Sequence, residues 1–199
     1  KEGLKPEALI LSGGPHSIFE DKEDYSVCFR DESLPILGIC YGMQLMAQYF
    51  EGTVEKGTQG EYGHAQISFQ KGQSFKGCPD SLNVWMSHAD HVSKVPQNFD
   101  VILKSDNDLI AGIKHQTRNI LSLQFHPEVE HSEKGKEVLD TFLTHMAGLE
   151  KDWNPGGMLK EATELVETVG EAKVLCAFSG GVDSLVAATL AHRVLGDNL

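Results

Sequence analysis

The sequence predicts an α/β fold in which a mostly parallel sheet is flanked by helices. Short apolar runs with the composition of buried strands alternate along the chain with stretches of helix-forming residues. One of these runs, residues 36–39, passes directly into the helical stretch 42–50. A strand that leads straight into a helix is typical of layered α/β proteins, in which helices cover the faces of the sheet.

The other strands and helices are predicted in the same way, from short apolar runs and from apolar residues at helical spacing. The predicted strands are 8–12, 36–39, 65–69, 82–86, 100–104, 109–114 and 120–125, and the predicted helices are 42–50, 132–146, 159–169 and 185–195. His88 and His91 are assigned to a loop. The cluster Asn154-Pro-Gly-Gly breaks helices, so a domain 1–150 is predicted, followed by a linker 151–158 and a second domain from 159. Trp153 either packs this linker against a domain or is an exposed aromatic residue without a special role.

Composition narrows the class of protein. The chain has 199 residues, of which 40% are hydrophobic, enough for one core and part of another. A net charge of −12 argues against binding nucleic acid or anionic membranes through bulk electrostatics, and no apolar run approaches membrane-spanning length. Four cysteines without a C-x-x-C pair suit the reducing cytoplasm. Nine histidines show no metal-ligand spacing, so no structural zinc is expected.

Residues 38–42 carry the spacing of a nucleophile elbow with cysteine as the nucleophile. Cys40 follows an apolar strand and precedes a helix, and Gly38 and Gly42 remove side chains that would clash at so sharp a turn. The helix N-terminus offers N–H groups that favour a thiolate. Alternatively, Cys40 is a small buried filler between a strand and a helix.

A base for this cysteine appears at the end of the strand 120–125. Pro127 stops the strand and leaves His126 at its end, and Glu128 is near enough to accept a hydrogen bond from the imidazole. Glu128 would then fix the tautomer of His126, which is the role of the third member of a triad. Taken alone, the three residues also fit an exposed turn with a solvated histidine and glutamate.

The segments GICYGMQ and FHPE together resemble the class I glutamine amidotransferases, which have a flavodoxin-like α/β fold. The resemblance implies that Cys40 is the nucleophile, His126 the general base and Glu128 its orienting partner in hydrolysing L-glutamine. It also implies an oxyanion hole made by the backbone N–H groups of Gly14 and Tyr41. Ser12-Gly13-Gly14-Pro15 is otherwise a tight turn after the first strand.

Further positions match the glutamine-binding segments of this family. Gln44 occupies a position that contacts the substrate, and Ala89 and Asp90 lie in a segment usually written S-H-G-D. Ala89 departs from the usual glycine, so its Cβ carries a cost if the backbone there requires a positive φ. Asp90 is otherwise an ordinary exposed loop residue.

A second chemistry is indicated at residues 174–195. An apolar run, 174–178, precedes a glycine-rich turn and a helix, which together can hold an anion through free N–H groups. The turn is neither a Walker loop nor G-x-G-x-x-G. SGGVDS resembles the pyrophosphate loop of N-type ATP pyrophosphatases, although Leu185 replaces the usual serine or threonine. The resemblance implies that ATP phosphates bind at Ser179, Gly180, Gly181, Val182, Asp183 and Ser184. Asp183 would lie near Mg²⁺. The alternative is a βα turn without a ligand.

An amidotransferase domain followed by this loop resembles the glutamine-hydrolysing GMP synthetase family. That resemblance implies that ammonia is used for the ATP-dependent amination of XMP, with a homodimer as one possible full-length assembly. Both ends of the chain look cut, and residues 159–199 are expected to be poorly ordered alone or packed differently from the family. Two other interpretations remain: a glutaminase subunit of a different synthase, and a degenerate amidotransferase module without catalysis.

Overall fold

The computed structural model describes residues 5–152 and 154–199, so Trp153 lies outside the described residues. The chain divides into two compact units, residues 1–150 and 151–199. The strands of the first unit are β1 (Leu9–Leu11), β2 (Ile36–Ile39), β3 (Thr53–Phe69), β4 (Ser81–Lys94), β5 (Phe99–Ser105), β6 (Ile110–His115) and β7 (Ile120–Leu123). Its helices are a 3₁₀-helix, Ser26–Phe29, and the α-helices α1 (Tyr41–Tyr49) and α2 (Gly135–Asp140). Helix α2 continues as a π-helix, Thr141–Met146.

All of these strands belong to one sheet in the order β1-β2-β7-β6-β5-β3-β4. The three strands β1, β2 and β7 run parallel, whereas every other neighbouring pair is antiparallel. The sheet is therefore mixed, and the prediction of a mostly parallel sheet was wrong. The connections between successive strands from β3 to β7 are too short to hold a crossover helix, so those strands pair antiparallel.

Strand β4 is longer than the sequence indicates. His88 and His91 lie inside it, paired with Glu61 and Glu55 of β3, so their assignment to a loop was wrong. Strand β4 alternates buried and exposed residues, but two residues on its buried side, His88 and Asp90, are polar. Because buried histidine and aspartate do not read as an apolar stripe, the period of two was hidden in this segment.

The parallel strands β2 and β7 are covered on both faces, as their continuous burial requires. On one face Met43, Met46 and Ala47 of α1 pack against Ile36 and Ile120. On the other face Val138 of α2 and Phe142 of the π-helix join a cluster with Leu37, Leu121 and Phe125.

The parallel strands bring three chain segments to one edge of the sheet. Neighbouring parallel strands end at the same edge, and ligands of open α/β sheets bind beyond these carboxyl ends. Residues 12–14 follow β1, Cys40 follows β2 and residues 124–126 follow β7. This edge positions the candidate site.

The second unit contains α3 (Pro155–Glu167) and α4 (Val182–Leu195). The Asn154 side chain accepts a hydrogen bond from the N–H of Gly157, so the cluster that was expected to break helices instead begins α3. The predicted strand 174–178 is not formed, and the side chain of Leu175 is 97% exposed. A strand needs neighbours to pair with, and none of the described residues of this unit forms one.

Two further findings concern the described residues as a whole. No residue of 151–152 or 154–199 is buried. Across the described parts of both units, no helix is long and apolar enough to cross a membrane.

Candidate active site

Cys40 forms the turn between β2 and α1 in a strained backbone conformation, with φ 52° and ψ −105°. Its N–H donates to the carbonyl oxygen of Leu123 at 2.8 Å, which ties the turn to β7. A Cβ on Gly42 would overlap the carbonyl oxygen of Leu11, and one on Gly38 would lie 2.8 Å from that of Gly42. The prediction that both glycines are needed for the sharp turn is confirmed.

The surroundings of Cys40 favour the protonated thiol over the thiolate. The residue is 4% exposed, and its Sγ lies 3.6 Å from the carbonyl oxygen of Ser87, to which the S–H donates. Burial raises the pKa of Cys40 to about 11, although the N–H of Tyr41 acts in the opposite direction. The expected effect of the helix N-terminus is therefore outweighed by desolvation. A reaction at Cys40 needs a base to take its proton.

His126 is held by its backbone and oriented by its ring. Its N–H donates to the carbonyl oxygen of Trp85 at 3.0 Å, and the hydroxyl of Ser132 donates to its carbonyl oxygen at 2.6 Å. Nδ1 lies 2.7 Å from Oε1 of Glu128. Because a carboxylate only accepts, Nδ1 carries the hydrogen and Nε2 is left as the basic nitrogen of the neutral ring.

Cys40 and His126 converge on Gly13. A Cβ placed on Gly13 would lie 2.8 Å from Cε1 of His126 and 3.5 Å from Cβ of Cys40. Any larger residue at this position would force the imidazole or the glycine turn to shift. Sequence reasoning assigned no function to Gly13, although its place in the turn after β1 was available as a signal.

The predicted oxyanion donors border the same cleft. Gly14, Tyr41 and Cys40 line a cavity of about 280 Å³, and a Cβ on Gly14 would lie 3.8 Å from the Tyr41 ring. The hydroxyl of Tyr41 donates to Oδ2 of Asp21 at 2.6 Å, and that of Tyr25 donates to the same oxygen at 2.8 Å. Asp21 thereby links the loop that carries Gly14 to Tyr41, and no sequence pattern pointed to it.

The three predicted glutamine-binding residues also line this cavity. Nε2 of Gln44 donates to the carbonyl oxygen of Asp90 at 2.8 Å, and the hydroxyl of Ser17 donates to its Oδ2 at 2.5 Å. Asp90 is buried in β4, so the alternative of an exposed loop residue was wrong. Ala89 lies in regular strand without a positive φ, so its Cβ carries no backbone strain.

A buried polar network supports this wall of the cleft. Nδ1 of His88 lies 3.0 Å from the carbonyl oxygen of Asp90, and Nε2 lies 3.2 Å from Oε2 of Glu61. The other carboxylate oxygen of Glu61 accepts from Ser105 and Asn107, each at 2.8 Å. Burial lowers the pKa of His88, while Glu61 opposes the shift. Sequence reasoning missed Glu61, which has no motif around it.

The predicted pyrophosphate loop lies in the second unit and is exposed. Gly180 has φ 84°, which favours glycine, and Gly181 is the N-cap of α4. The hydroxyls of Ser179 and Ser184 are 3.0 Å apart, and Ser184 also donates to the carbonyl oxygen of Gly181. Val182 and Asp183 form the first turn of α4. Among the residues that the structure describes, no group of three or more histidine, cysteine, aspartate or glutamate residues could hold a metal.

The sheet, the elbow and the paired histidine define the class of protein. Residues 1–146 match the family described as glutamine amidotransferase class-I, and the chain belongs to this family. Its first unit has the corresponding α/β fold with a mixed sheet.

Similar proteins point to a particular group within this family. The chain is 42% identical over 198 residues to a glutamine-hydrolyzing GMP synthase from Thermosipho melanesiensis, and 44% identical over 197 residues to one from Aliarcobacter butzleri. Each match covers 98% of this chain but only 39% of the relative. The crystal structure of a candidate GMP synthase subunit from Thermoplasma acidophilum is 33% identical, with a TM-score of 0.66 and 74% of each chain covered.

Proposed function

We propose that the chain hydrolyses L-glutamine to glutamate and ammonia through a Cys40–His126–Glu128 triad. The observation that carries this proposal is the meeting of Cys40 and His126 at Gly13, beyond the carboxyl ends of the adjacent parallel strands β2 and β7. A thiol beside an imidazole that a carboxylate orients is an arrangement for nucleophilic catalysis.

The first half of the reaction forms a thioester. Nε2 of His126 takes the Sγ proton as the sulfur of Cys40 attacks the carboxamide carbon of glutamine. Proton transfer is necessary because burial raises the pKa of this thiol to about 11. The carbonyl oxygen becomes an oxyanion, which the N–H groups of Gly14 and Tyr41 stabilise by about 3 kcal/mol each. His126 then protonates the nitrogen, the C–N bond breaks and ammonia leaves.

The second half restores the enzyme. His126 removes a proton from water as the water oxygen attacks the thioester carbon. The C–S bond breaks, glutamate is released and the sulfur recovers its proton from the imidazolium. Glu128 stabilises the imidazolium in both halves from 2.7 Å.

The wall formed by Gln44, Ala89 and Asp90 suits free glutamine as the substrate. The carboxylate of Asp90 faces a cavity of about 280 Å³ and complements the α-ammonium group of an amino acid. Gln44 holds the backbone of Asp90 from beneath, so a shift of this amide would move the wall.

We also propose that, in the longer protein, the ammonia aminates XMP to GMP with ATP in the cytoplasm, by analogy with the relatives named above. The loop 179–184 fits a phosphate group, because Gly180 lets the backbone turn and the first N–H groups of α4 remain free. The carboxylate of Asp183 in the first helical turn would repel phosphate directly but would accept a bridging Mg²⁺. ATP would supply the adenylyl group that activates XMP.

The test is ammonia release by the chain from L-glutamine, measured with and without ATP and XMP. We expect Cys40→Ala to lose at least about 10³-fold in activity, because the nucleophile is removed. It should also lose labelling by a glutamine-like electrophile. Cys28→Ala is the matched control, since Cys28 is a half-buried free thiol elsewhere in the first unit. Ammonia release or labelling at the wild-type level in Cys40→Ala would refute the triad.

A further inference from the structure

The side chain of Gln124 is a buried amide without a hydrogen-bond partner. Gln124 follows β7, two residues before His126, and is 1% exposed. Its backbone is paired, since the N–H donates to the carbonyl oxygen of Ala111 at 2.9 Å. Its Oε1 and Nε2 are both buried and unpaired. Leaving such a group unpaired destabilises a fold, so it calls for a physical explanation.

The backbone position next to Gln124 on the neighbouring strand is Cys40. The register of β2 and β7 pairs Ile39 with Leu123, and the N–H of Cys40 donates to the carbonyl oxygen of Leu123 at 2.8 Å. The next residue on each strand is therefore Cys40 on one side and Gln124 on the other. The Gln124 amide is near enough to act on the sulfur and to lower the pKa of Cys40, against the larger effect of burial, although no well-formed hydrogen bond joins the two groups.

We propose that Gln124 stabilises the thiolate of Cys40 by donating an Nε2–H hydrogen bond to Sγ once the proton has moved to His126. The inference rests on the proposed role of Cys40 as the nucleophile. At rest the thiol donates to the carbonyl oxygen of Ser87 at 3.6 Å. After ionisation the sulfur only accepts hydrogen bonds, so it must leave that carbonyl and turn to a donor.

Gln124 is suited to this task because its amide is unpaired in the thiol state. A hydrogen bond to the thiolate removes the free-energy cost of the unpaired amide. Ionisation of Cys40 is therefore favoured by a hydrogen bond that the thiol state does not have. The N–H of Tyr41 also acts on the sulfur, but the proposed mechanism assigns it to the oxyanion. Gln124 therefore serves the sulfur while Tyr41 serves the substrate oxygen.

The experiment compares Gln124→Met with the wild-type chain. Methionine has a similar length but no donor. The readout is the pH dependence of iodoacetamide alkylation at Cys40, followed on its peptide by mass spectrometry. We expect the midpoint to rise by about one pH unit, because one hydrogen bond to the charged sulfur is lost. The midpoint is used rather than a single rate because a more basic thiolate is intrinsically more reactive.

The melting temperature distinguishes the proposed role of Gln124 from a purely structural one. We expect the melting temperature of Gln124→Met to be equal to or above that of the wild type, because the substitution replaces an unpaired buried amide by an apolar side chain of similar shape. Ammonia release should fall about tenfold in kcat with KM unchanged, because the substrate does not touch Gln124 in the proposed mechanism.

Two controls make the measurement specific. Ser122→Ala removes a buried hydroxyl of β7 that contacts the sulfur of Met46. This variant reports local disturbance of the strand without removing a group that acts on Sγ of Cys40. The exposed Cys176 serves as an internal reference thiol in every sample. Gln124→Leu provides a second donor-free variant in case the methionine variant does not fold.

An unchanged Cys40 midpoint in a folded donor-free variant would overturn the inference. A fall in melting temperature with an unchanged midpoint would assign Gln124 to structure instead. Alkylation does not depend on glutamine turnover, so a failure of the proposed function, seen as ammonia release by Cys40→Ala, is distinguishable from a failure of this inference.

Discussion

Tyr41 contributes to the candidate site through both its backbone and its side chain. Its N–H acts on the sulfur of Cys40, and its hydroxyl donates to Asp21. The Asp21 carboxylate also accepts from the hydroxyl of Tyr25 and from the N–H of Glu23 at 2.9 Å. These donors, led by Tyr41, lower the pKa of Asp21 from 3.8 to about 2. The ionised carboxylate is therefore part of what holds the glycine loop in place.

Asp21→Asn should weaken the first unit in a pH-dependent way. The folded pKa lies below the ordinary value of 3.8, so the ionised carboxylate stabilises the fold above that value. This contribution disappears as the pH falls through about 2. We expect the melting temperature of Asp21→Asn to be lower than that of the wild type at neutral pH, with the gap closing between about pH 4 and pH 2.

Asp80→Asn is the control for this measurement, because Asp80 is an exposed aspartate of the same unit. Its melting curve should follow the wild type throughout. A gap between Asp21→Asn and the wild type that does not change with pH would show that the carboxylate charge is not responsible.

At the scale of elements, helix α1 lies closely against β1. Gly42 is the point of contact, because a Cβ there would overlap the carbonyl oxygen of Leu11. Backbone atoms cannot move aside as a flexible side chain can. Gly42→Ala should therefore lower the free energy of unfolding by about 1–3 kcal/mol, as overpacking typically does. Urea unfolding of the chain measures this loss.

Gln48→Ala is the matched substitution in the same helix. Gln48 is exposed, and alanine is a good helix former, so its unfolding free energy should stay within about 0.5 kcal/mol of the wild type. Equal losses in the two variants would mean that α1 is destabilised for reasons other than contact with β1.

Elements with strong local signals were predictable from the sequence. The strand 36–39 and the helix that follows were recognised because apolar residues, flanking glycines and helix formers agree there. Cys40, His126 and Glu128 were predicted as a triad from local patterns of the same kind, since each pattern fits within a few positions. What brings them to Gly13 is the pairing of β2 with β7, which links segments far apart in the chain.

Other elements depend on partners that no local pattern shows. Strand direction is set by connection and pairing rather than by composition, so the antiparallel half of the sheet was visible only in the short connections after β3, which leave no room for a crossover helix. The run 174–178 has the residues of a strand, but the described part of the second unit contains no strand that could pair with it. Glu61 reaches the site through His88 and Asp21 through Tyr41, and each of these contacts joins residues that are far apart in the sequence.

At the scale of the whole molecule, the two units differ in how much they bury. Residues 1–150 contain both apolar clusters, whereas no described residue of the second unit is buried. Local opening is easiest where few apolar contacts form and the backbone is exposed. We expect limited proteolysis to cut first within residues 168–181, which lie between α3 and α4.

The hairpin turn 116–119 is an internal control for this cleavage. It is also largely exposed, but β6 and β7 hold its two ends. We expect it to remain uncut while a product that retains residues 1–150 accumulates, with the melting temperature of the intact chain. First cleavage at 116–119 would contradict the assignment of stability to the first unit.

The adjacency of β1, β2 and β7 has a consequence for how such a centre can change over time. Peptide hydrogen bonds hold neighbouring strands about 4.8 Å apart. The distances between the thiol, the imidazole and the glycine turn are therefore set by the backbone of the sheet rather than by neighbouring side chains. Core residues that pack under these strands can therefore be substituted without changing the geometry of the catalytic groups. Conversely, a few substitutions at the carboxyl ends of these strands would be enough to place different reactive side chains on the same sheet.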